Sequence, residues 1–440
     1  MADHPVFFES LKQRTAARLA PLLPPQARVL LGLSGGVDSV VLLHLLHSLA
    51  PHLNFRFSVL HVHHGISPHA DAWAQFCTEL CREYRIPLHL EQVDITALRA
   101  VHGVEAAARK LRHAALARQD CDVIALAHHA DDQAETLVLQ LLRGAGVRGA
   151  AAMPFARAQE GRVWLRPLLD CSRAELLEYA RAQGLHWIED ESNADERYPR
   201  NFLRHRLLPL LEQRFPAWRR TLGRSAQHFA EASELLDEIA RADAPASGRL
   251  DVATLQTLTS PRAKNLLRHF LHEQGAPMPQ ATQLDDLLHQ LCNAREGAAV
   301  CVNFGDWQVR RYRGDVYAGP ALPACDPALQ RVWQGESSLY WPPQGRDVTF
   351  TPSVGQGISR ARLERGEVGL RLRRGGETLR PQPRAARRSL KNLLQEHRVP
   401  PWQRESLPLL YCGEALVCVV GVAVAAEFQA EQDEPSVMVA

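Results

Sequence analysis

Residues 29–46 read VLLGLSGGVDSVVLLHLL, and this stretch decides the fold of the chain. Its apolar start, residues 29–33, predicts a buried strand of a parallel sheet, and its apolar end, residues 40–46, predicts a helix. Between them lies the hexapeptide Ser34-Gly35-Gly36-Val37-Asp38-Ser39. The stretch therefore predicts a strand, a tight glycine turn and a helix, which together are the repeating unit of an α/β fold.

The hexapeptide has the composition of an anion-binding turn. A glycine pair lets the backbone turn tightly, so that several N–H groups gather at the positive end of the helix dipole. Ser34 and Ser39 can add hydroxyl donors, and Asp38 can hold Mg²⁺ or orient a phosphate-bound water. For a bare S-G-G sequence, the alternative is an ordinary strand-turn-helix junction whose serines cap the helix.

In this context the full hexapeptide resembles the PP-loop of ATP pyrophosphatases, which cleave ATP between its α and β phosphates and adenylate a substrate. The resemblance implies that residues 34–39 bind ATP and that Asp38 lies near Mg²⁺. The Walker sequence G-x-x-x-x-G-K-S/T does not occur in the chain. Kinase or GTPase chemistry is therefore not indicated.

The length and composition are typical of a globular protein with several domains. A chain of 440 residues exceeds one typical core and predicts two or three domains. The N-terminal sequence lacks an uninterrupted signal-peptide core, and no apolar run is long enough to span a bilayer. Nine cysteines are scattered without a C-x-x-C pair, which indicates reduced thiols. We therefore expect a cytoplasmic protein that does not associate with membranes.

The positive charge is unevenly distributed, although the net charge is only +2. Residues 197–224 contain eight arginines and one acidic residue, and residues 359–404 contain thirteen basic and four acidic residues. Only four lysines occur, so nearly all of this charge is arginine, which suits bidentate phosphate contacts and stacking on bases. A solvated surface is the alternative, but two such segments beside a nucleotide motif favour nucleic acid as a partner.

The predicted elements divide the chain into three domains. Alternating strands and helices predict an α/β doubly wound parallel sheet, the catalytic domain, over residues 1–218. Helical periodicity predicts a helical middle domain over residues 219–325, and mixed patterns predict a small α+β domain over residues 345–440. A stretch rich in proline and glycine, residues 319–343, is predicted to be an irregular connection.

The individual elements follow from the same periodicities. Predicted strands of the first domain are residues 28–33, 55–63, 88–93 and 122–127, with helices at 71–84 and 103–118. Predicted helices of the middle domain are residues 224–241, 251–258, 262–273 and 283–293. The last domain has predicted strands at 369–373 and 415–424, with a basic helix at 384–397.

A second informative stretch follows the fourth predicted strand and contains His128, His129, Asp132 and Glu135. The two acids lie three residues apart, so both can face the same side of a helix that begins there. Dipole stabilisation by the acids and a structural histidine pair are the alternatives. Beside a nucleotide cleft, two carboxylates can bind an ammonium group, hold Mg²⁺ or accept a proton. Since ligands gather at the carboxyl ends of parallel strands, we expect this stretch and the hexapeptide to share one cleft.

Further motifs, in order along nearly the whole chain, resemble those of the tRNA(Ile)-lysidine synthetase family in its long three-domain form. They are HVHHG at 61–65, GVEAAAR at 103–109, HHADDQAET at 128–136, LLRGAG at 141–146, RPLL at 166–169, DESN at 190–193, RNFLR at 200–204, RRGGE at 373–377, KNLLQ at 391–395 and VPPW at 399–402. Their shared order is hard to obtain by chance, so the resemblance is more specific than any single motif.

The resemblance implies a two-step reaction on the wobble cytidine of an isoleucine tRNA with a CAU anticodon. ATP, with Mg²⁺, first adenylates carbon 2 of the cytosine, and the ε-amino group of free lysine then displaces AMP to give lysidine. Asp132 and Glu135 would recognise the lysine ammonium, and one of them would take its proton, since that group has a pKa near 10.4. Arg109 and Arg112 would neutralise nucleotide charge, with a solvated helix face as their alternative.

The same resemblance implies that the middle and last domains contact tRNA, and it suggests a homodimer. Contacts to lysine or tRNA are expected at His128, His129, Arg200, Arg204, Arg387 and Arg388. In this interpretation phosphate contacts set affinity and position, while the cytosine is recognised in the cleft.

Three other classes of protein share parts of this pattern. A tRNA thiolase has a similar phosphate loop but commonly needs cysteines for sulfur transfer, and here Cys77 and Cys81 are expected to pack on one helix face. An amidating enzyme similar to GMP synthetase would need an ammonia source, and no glutaminase portion is evident in the sequence. A non-catalytic tRNA-binding protein is disfavoured because Asp38, Asp132 and Glu135 are intact.

Overall fold

The computed structural model describes residues 4–159, 161–295, 298, 300–321 and 326–440. The chain forms two compact units, Met1–Glu238 and Ile239–Ala440. The three-domain division drawn from the sequence stays a prediction. In the part of the chain that the structure describes, no helix has the length and apolar character needed to cross a bilayer.

The first unit is built on a six-stranded sheet with strand order β3-β2-β1-β4-β6-β5. Its strands are β1 (Arg28–Gly32), β2 (Arg56–His63), β3 (Leu88–Gln92), β4 (Val123–Ala125), β5 (Ala156–Gln159) and β6 (Arg162–Leu165). All neighbouring strands are parallel except β5, which pairs antiparallel with β6 at one edge. The predicted parallel α/β sheet is confirmed, and the four strands predicted from the sequence lie within three residues of their observed ends.

Helices connect these strands and cover both faces of the sheet. They are α1 (His4–Leu19), α2 (Val37–Leu53), α3 (Ala70–Glu83), α4 (Thr96–His102), α5 (Val104–Arg118), α6 (Ala130–Leu142), α7 (Val147–Ala150), α8 (Arg173–Ala182), α9 (Pro199–Phe202), α10 (Leu208–Arg214) and α11 (Trp218–Asp243). A π-helical turn, Leu203–Leu207, lies between α9 and α10.

Consecutive residues of β1 show why this sheet is buried on both faces. Leu31 belongs to the core that contains Leu42 of α2, whereas Leu30 belongs to a second core with Leu116 of α5 and Trp164 of β6. Side chains alternate between the two faces of a strand, so a strand covered on both faces must be apolar throughout. Burying each such leucine contributes about 1.5–3 kcal/mol, which explains the unbroken apolar run that predicted this strand.

The second unit begins with helices and continues with an antiparallel sheet. The helices are α12 (Val252–Thr257), α13 (Ser260–Glu273) and α14 (Ala281–Asn293), and the strands are β7 (Cys301–Phe304), β8 (Trp307–Tyr312) and β9 (Asp315–Pro320). The helical middle region is confirmed, but the sequence reasoning missed the three strands. Their apolar residues Val309 and Val316 complete the core against Leu267 and Leu287 of the helices.

The remainder of the second unit is a set of small antiparallel sheets. Its strands are β10 (Gln330–Val332), β11 (Ser338–Trp341), β12 (Arg346–Val354), β13 (Ile358–Ser359), β14 (Val368–Arg371), β15 (Thr378–Leu379), β16 (Arg388–Ser389), β17 (Leu409–Cys412), β18 (Ala415–Val419), β19 (Ala423–Val424) and β20 (Pro435–Val439). Its helices are α15 (Arg360–Leu363), α16 (Leu390–Glu396) and α17 (Pro401–Ser406). The α+β character predicted for this region is confirmed.

Three local predictions in this region were wrong in detail. The predicted strand at 415–424 is a hairpin of β18 and β19, because Gly421 turns the chain with a φ of +74°. The predicted helix at 384–397 is shortened to α16, whose N-terminus is capped by the Ser389 hydroxyl. The predicted irregular connection at 319–343 contains β10 and β11, while its residues 322–325 lie outside the described residues.

Candidate active site

The phosphate loop predicted from the sequence joins the end of β1 to the start of α2. Its serines hold the loop closed: the Ser39 hydroxyl donates to the Gly36 carbonyl at 2.9 Å, and the Ser34 and Ser39 hydroxyl oxygens lie 3.1 Å apart. Gly36 is the N-cap residue of α2 and has no side chain that could cap the helix. The N-terminal N–H groups of a helix are the groups that bind phosphate.

A neighbouring segment fixes the conformation of this loop. The backbone N–H of Ile188 donates to the Gly35 carbonyl at 2.9 Å. Gly35 has a φ of +86°, and a Cβ at this position would lie 2.6 Å from Cδ1 of Ile188. Only glycine adopts this backbone beneath that side chain, so the loop requires the glycine that marked it in the sequence.

Gly35→Ala is therefore expected to lower ATP affinity by tenfold or more, since the left-handed backbone alone costs about 1–2 kcal/mol and the clash adds to it. Equilibrium binding of ATP, with a thermal melt of each variant, measures this effect. Gly184→Ala is the matched control, because Gly184 also has positive φ (+62°) but open space around its Cα. Equal loss of ATP affinity in both variants would contradict a specific role of the loop.

His129 connects the phosphate loop to the second predicted stretch. It is the N-cap of α6, where its Nδ1 accepts the N–H of Asp132 at 3.4 Å and its own N–H donates to Asp132 Oδ2 at 3.1 Å. Its Nε2 lies 3.6 Å from Asp38 Oδ2 and 3.4 Å from Asp132 Oδ2. Burial acts to lower the pKa of His129, but the carboxylates of Asp132, Asp38 and Asp131 outweigh it and the pKa is raised. One imidazole thus bridges Asp38 and Asp132.

Glu135 is fully buried and is bound by two arginines, one from α9 and one from the π-helical turn that follows it. Arg204 donates from Nε to Oε1 at 2.8 Å and from Nη2 to Oε2 at 3.0 Å, and Arg200 Nε lies 3.0 Å from Oε2. Arg200 also donates to the Thr136 hydroxyl at 2.9 Å. Burial raises the pKa of Glu135, while Arg204 opposes that shift. The carboxylate predicted to recognise lysine is thus held by Arg200 and Arg204 in this conformation.

Arg204 reaches both predicted acids. Its Nη2 lies 3.4 Å from Asp132 Oδ1, in addition to its two bonds to Glu135. The π-helical turn that carries Arg204 is a rare conformation that occurs frequently at functional sites. Burial acts to lower the pKa of Arg204, but the bonds to Glu135 outweigh it and the pKa is raised. The motif at residues 200–204 therefore contacts the motif at residues 128–136.

Basic side chains from α5 lie near His128, at the carboxyl end of β4. Burial lowers the pKa of His128 to about 3, and among the charges that lower it further are Arg166, Arg112 and Arg109. Burial also lowers the pKa of His113 to about 4, again with Arg109 and Arg112 contributing. The predicted residues Arg109, Arg112 and His128 are thus brought together, and the positive charge of the two arginines suits an anion.

Asp38 has the features expected of a residue that faces a cation. Its Oδ1 is buried without a hydrogen-bond partner, an unfavourable arrangement unless something else binds that oxygen. Among the described residues no group of three or more His, Cys, Asp or Glu side chains could enclose a metal. Mg²⁺ commonly uses one or two carboxylates together with substrate phosphates, so a single carboxylate beside the phosphate loop fits it.

Arg387 and Arg388 lie in the second unit. Both are exposed, and they form ion pairs with Glu427 at 3.4 Å and Glu396 at 2.5 Å respectively. Exposed pairs of this kind contribute little to stability and exchange readily with other anions. Their placement is compatible with phosphate contacts on an open surface.

The structure adds residues that the sequence reasoning did not assign. Ile188 supports the phosphate loop, Thr136 binds Arg200, and Arg219 binds Asp131 at 2.6 Å at the start of α6. The glycine at position 35 was the only feature of the sequence that indicated a constrained turn. It does not identify Ile188 as the residue that packs against that turn. The predicted packing of Cys77 and Cys81 on one face of α3 is confirmed, since both thiols are buried.

A glycine phosphate loop follows β1 of a parallel sheet and contains Asp38, and Arg109 and Arg112 form a basic wall near His128. These features define an ATP-binding enzyme of the PP-loop class. The chain matches the PP-loop domain family over residues 9–211. It also matches the TilS substrate binding domain over residues 250–317 and the TilS substrate C-terminal domain over residues 368–440.

Comparison with whole proteins narrows this class to one family. The chain is 43% identical to the tRNA(Ile)-lysidine synthase of Nitrosomonas europaea, covering 94% of this chain and 92% of the relative. It is 42% identical to that of Azoarcus sp. strain BH72, covering 95% and 92%. A solved structure, U34-tRNA thiolase NcsA from Methanococcus maripaludis, is 20% identical with a TM-score of 0.44, covering 51% of this chain and 79% of that one. The chain belongs to the tRNA(Ile)-lysidine synthase family, and it is a ligase that forms a carbon–nitrogen bond.

Proposed function

We propose that this enzyme converts the wobble cytidine of an isoleucine tRNA with a CAU anticodon into lysidine, using ATP and free lysine. Lysidine changes codon reading to AUA and tRNA identity from methionine to isoleucine. The observation that supports this most strongly is the His129 bridge between Asp38 and Asp132, which puts a phosphate-loop carboxylate and a potential amine-binding carboxylate on one imidazole. Both halves of the proposed reaction thereby meet at one place.

The ATP half of the site uses the phosphate loop and the basic wall. The triphosphate lies on residues 34–39 at the N-terminus of α2, and Arg109, Arg112 and His128 face the nucleotide charge. Asp38 would hold Mg²⁺ through its unpartnered Oδ1. When bound, Mg²⁺ would neutralise part of the charge on the phosphates.

The first step joins the cytosine to AMP. The cytosine oxygen on carbon 2 attacks the α-phosphorus of ATP, the bond to the β-phosphate oxygen breaks, and pyrophosphate leaves. The basic wall stabilises the charge that develops on the departing pyrophosphate. The cytosine carbon 2 then carries a good leaving group and is open to attack by an amine.

The lysine half of the site uses Asp132. Its carboxylate binds the lysine ammonium and accepts the proton that the amine must lose, since lysine has a reference pKa near 10.4. The ε-nitrogen attacks carbon 2, the carbon–oxygen bond breaks, and AMP leaves. Glu135 positions Asp132 indirectly. It binds Arg204, and the Nη2 atom of Arg204 lies 3.4 Å from Asp132 Oδ1. When Arg204 or Arg200 moves, either guanidinium can meet the lysine carboxylate.

The exposed arginines of the second unit supply tRNA affinity. Arg387→Ala with Arg388→Ala is expected to weaken tRNA binding and to flatten its salt dependence by about one unit of slope for each phosphate that is no longer neutralised. A titration of tRNA binding against salt concentration measures both quantities. Arg331→Ala is the control, because Arg331 is likewise exposed and lies outside the basic segment at residues 359–404. If the salt dependence of tRNA binding is unchanged in the double variant, Arg387 and Arg388 do not contact tRNA phosphates.

Transfer of labelled lysine tests the proposed reaction. Purified protein is incubated with ATP, labelled lysine and transcripts of candidate tRNAs. The isoleucine transcript with the CAU anticodon is expected to acquire label, and a transcript with uridine in place of the wobble cytidine is not. Labelling that does not depend on that cytidine would refute the proposal.

A further inference from the structure

His61, the first histidine of the motif at residues 61–65, has no role in the proposed reaction. It lies in β2 and is only 5% exposed. Its Nδ1 atom is 2.9 Å from the carbonyl oxygen of Leu33, the residue that directly precedes the phosphate loop. Burial lowers the pKa of His61, so the ring is neutral at pH 7 and carries one N–H group. Because a carbonyl oxygen only accepts, that N–H group is on Nδ1 and donates to Leu33.

This hydrogen bond is the first of three that continue into the phosphate loop. The C=O and N–H groups of a trans peptide point in opposite directions, so a bond that fixes the Leu33 carbonyl also fixes the Ser34 N–H. The Ser34 N–H donates to the Ser39 hydroxyl oxygen at 3.3 Å, and that hydroxyl donates to the Gly36 carbonyl at 2.9 Å. The series therefore runs from a side chain of β2 to Gly36, the N-cap residue of α2.

Cys77 of α3 packs beside His61 and beneath the same loop. Its Sγ atom lies 3.4 Å from His61 Nδ1, and a Cβ on Gly35 would lie 3.4 Å from the same sulfur. Burial raises the pKa of the Cys77 thiol to about 12, so the thiol is uncharged at pH 7. His61 therefore has a neutral neighbour, and its shorter contact is the hydrogen bond to Leu33.

We propose that His61 is a positioning residue for ATP. The inference rests on the proposed function, which places the triphosphate on residues 34–39. A carbonyl that is bound by a protein donor cannot turn its negative oxygen towards a phosphate. His61 binds the Leu33 carbonyl in this way, and the backbone N–H of Ile188 binds the Gly35 carbonyl at 2.9 Å. The two bonds keep the turn in the conformation in which its N–H groups meet the phosphates.

Three substitutions of His61 separate this role from simple packing. Asparagine keeps an N–H group at the position of Nδ1, glutamine places its N–H group at the position of Nε2, and leucine has a similar volume but no donor. His61→Leu and His61→Gln are expected to raise the Kd for ATP with Mg²⁺ about tenfold, because the Leu33 carbonyl loses its donor. His61→Asn is expected to stay within about threefold of the parent. Lysine transfer at saturating ATP is expected to stay within about twofold in all three, since His61 touches no reacting atom.

His44→Leu is the matched control. The His44 ring is half-buried on α2, and its Nδ1 lies 2.8 Å from the Tyr179 hydroxyl of α8. The substitution removes a histidine hydrogen bond from the same unit without touching the series that begins at His61. Its Kd for ATP is expected to equal that of the parent. Equilibrium binding of ATP to the full-length proteins measures these constants, and a thermal melt of each variant measures its stability.

Two results would overturn the inference. If His61→Leu binds ATP as tightly as the parent, His61 does not position the loop. If His61→Asn loses as much ATP affinity as His61→Leu, His61 acts by packing and not through its hydrogen bond. Should His61→Leu fail to fold, equal ATP affinity of the asparagine and glutamine variants would overturn the inference in its place. Failure of the parent protein to bind ATP would instead refute the proposed function, so the two failures are distinguishable.

Discussion

Asp38→Asn is expected to lower tRNA-dependent adenylate formation by about 10²- to 10³-fold. The Asp38 Oδ1 atom is buried without a hydrogen-bond partner, and an asparagine amide removes the charge with which it would bind Mg²⁺. ATP–pyrophosphate exchange in the presence of a CAU transcript measures this step. Affinity for tRNA is expected to stay within about twofold of the parent, since the proposal assigns most of it to surface arginines away from Asp38.

Asp120→Asn is the matched control for this variant. Asp120 is 89% exposed and pairs with Arg28 at the start of β1, which is the opposite edge of the sheet from the phosphate loop. Its substitution is expected to leave exchange unchanged. Normal exchange by Asp38→Asn would show that Asp38 does not act on ATP or its metal.

Asp132→Asn is expected to leave ATP–pyrophosphate exchange largely intact and to slow lysine transfer by roughly 10²- to 10³-fold. Asparagine keeps an oxygen that can accept the His129 N–H, so the cap of α6 is preserved. It lacks the negative charge that binds an ammonium and the basicity that takes its proton. Parallel assays of exchange and of labelled lysine transfer measure the split. If only the KM for tRNA changes, Asp132 does not act on lysine.

Glu135→Gln separates a direct role from a positioning role. Glu135 is fully buried and binds Arg200 and Arg204, so loss of its charge is expected to destabilise the fold by about 3 kcal/mol. The variant therefore shows a lowered melting temperature, which Asp132→Asn does not. If lysine transfer falls without loss of stability, Glu135 contacts lysine directly and the arginines move aside when lysine binds.

The phosphate loop was predictable because its signal is local. The first apolar run is long enough for one strand, the glycine pair indicates a turn, and the second apolar run indicates a helix. These three elements follow one another along the chain. Gly35 has a φ of +86°, and glycine is the residue that adopts this conformation most readily, so the sequence itself indicates the turn. The same holds for the alternation of strands and helices that predicted the parallel sheet.

The contacts around Glu135 were not predictable from the sequence. Glu135 and Arg204 lie 69 positions apart, and nothing in the periodicity of α6 indicates which distant cations will reach it. The π-helical turn that carries Arg204 likewise has no simple sequence signal. The sequence therefore predicted the principal residues of the candidate site, but neither their supporting residues nor the pairs that they form.

The strands β7, β8 and β9 were missed for a different reason. They are short, and each is bounded by an exposed turn, so the alternation of apolar residues lasts only a few positions. Their stability depends on Val309 and Val316 packing against helices that precede them by tens of residues. Tertiary packing of this kind overrides weak local preference.

Transfer of α-phosphate from ATP to tRNA tests the central claim most directly. The protein is incubated with ATP labelled at the α-phosphate and a CAU isoleucine transcript, first without lysine and then with lysine added. We expect label to appear on the transcript at the wobble cytidine and to be released as AMP when lysine is added. Release of labelled AMP without any label on the RNA, or label that persists after lysine addition, would contradict the account.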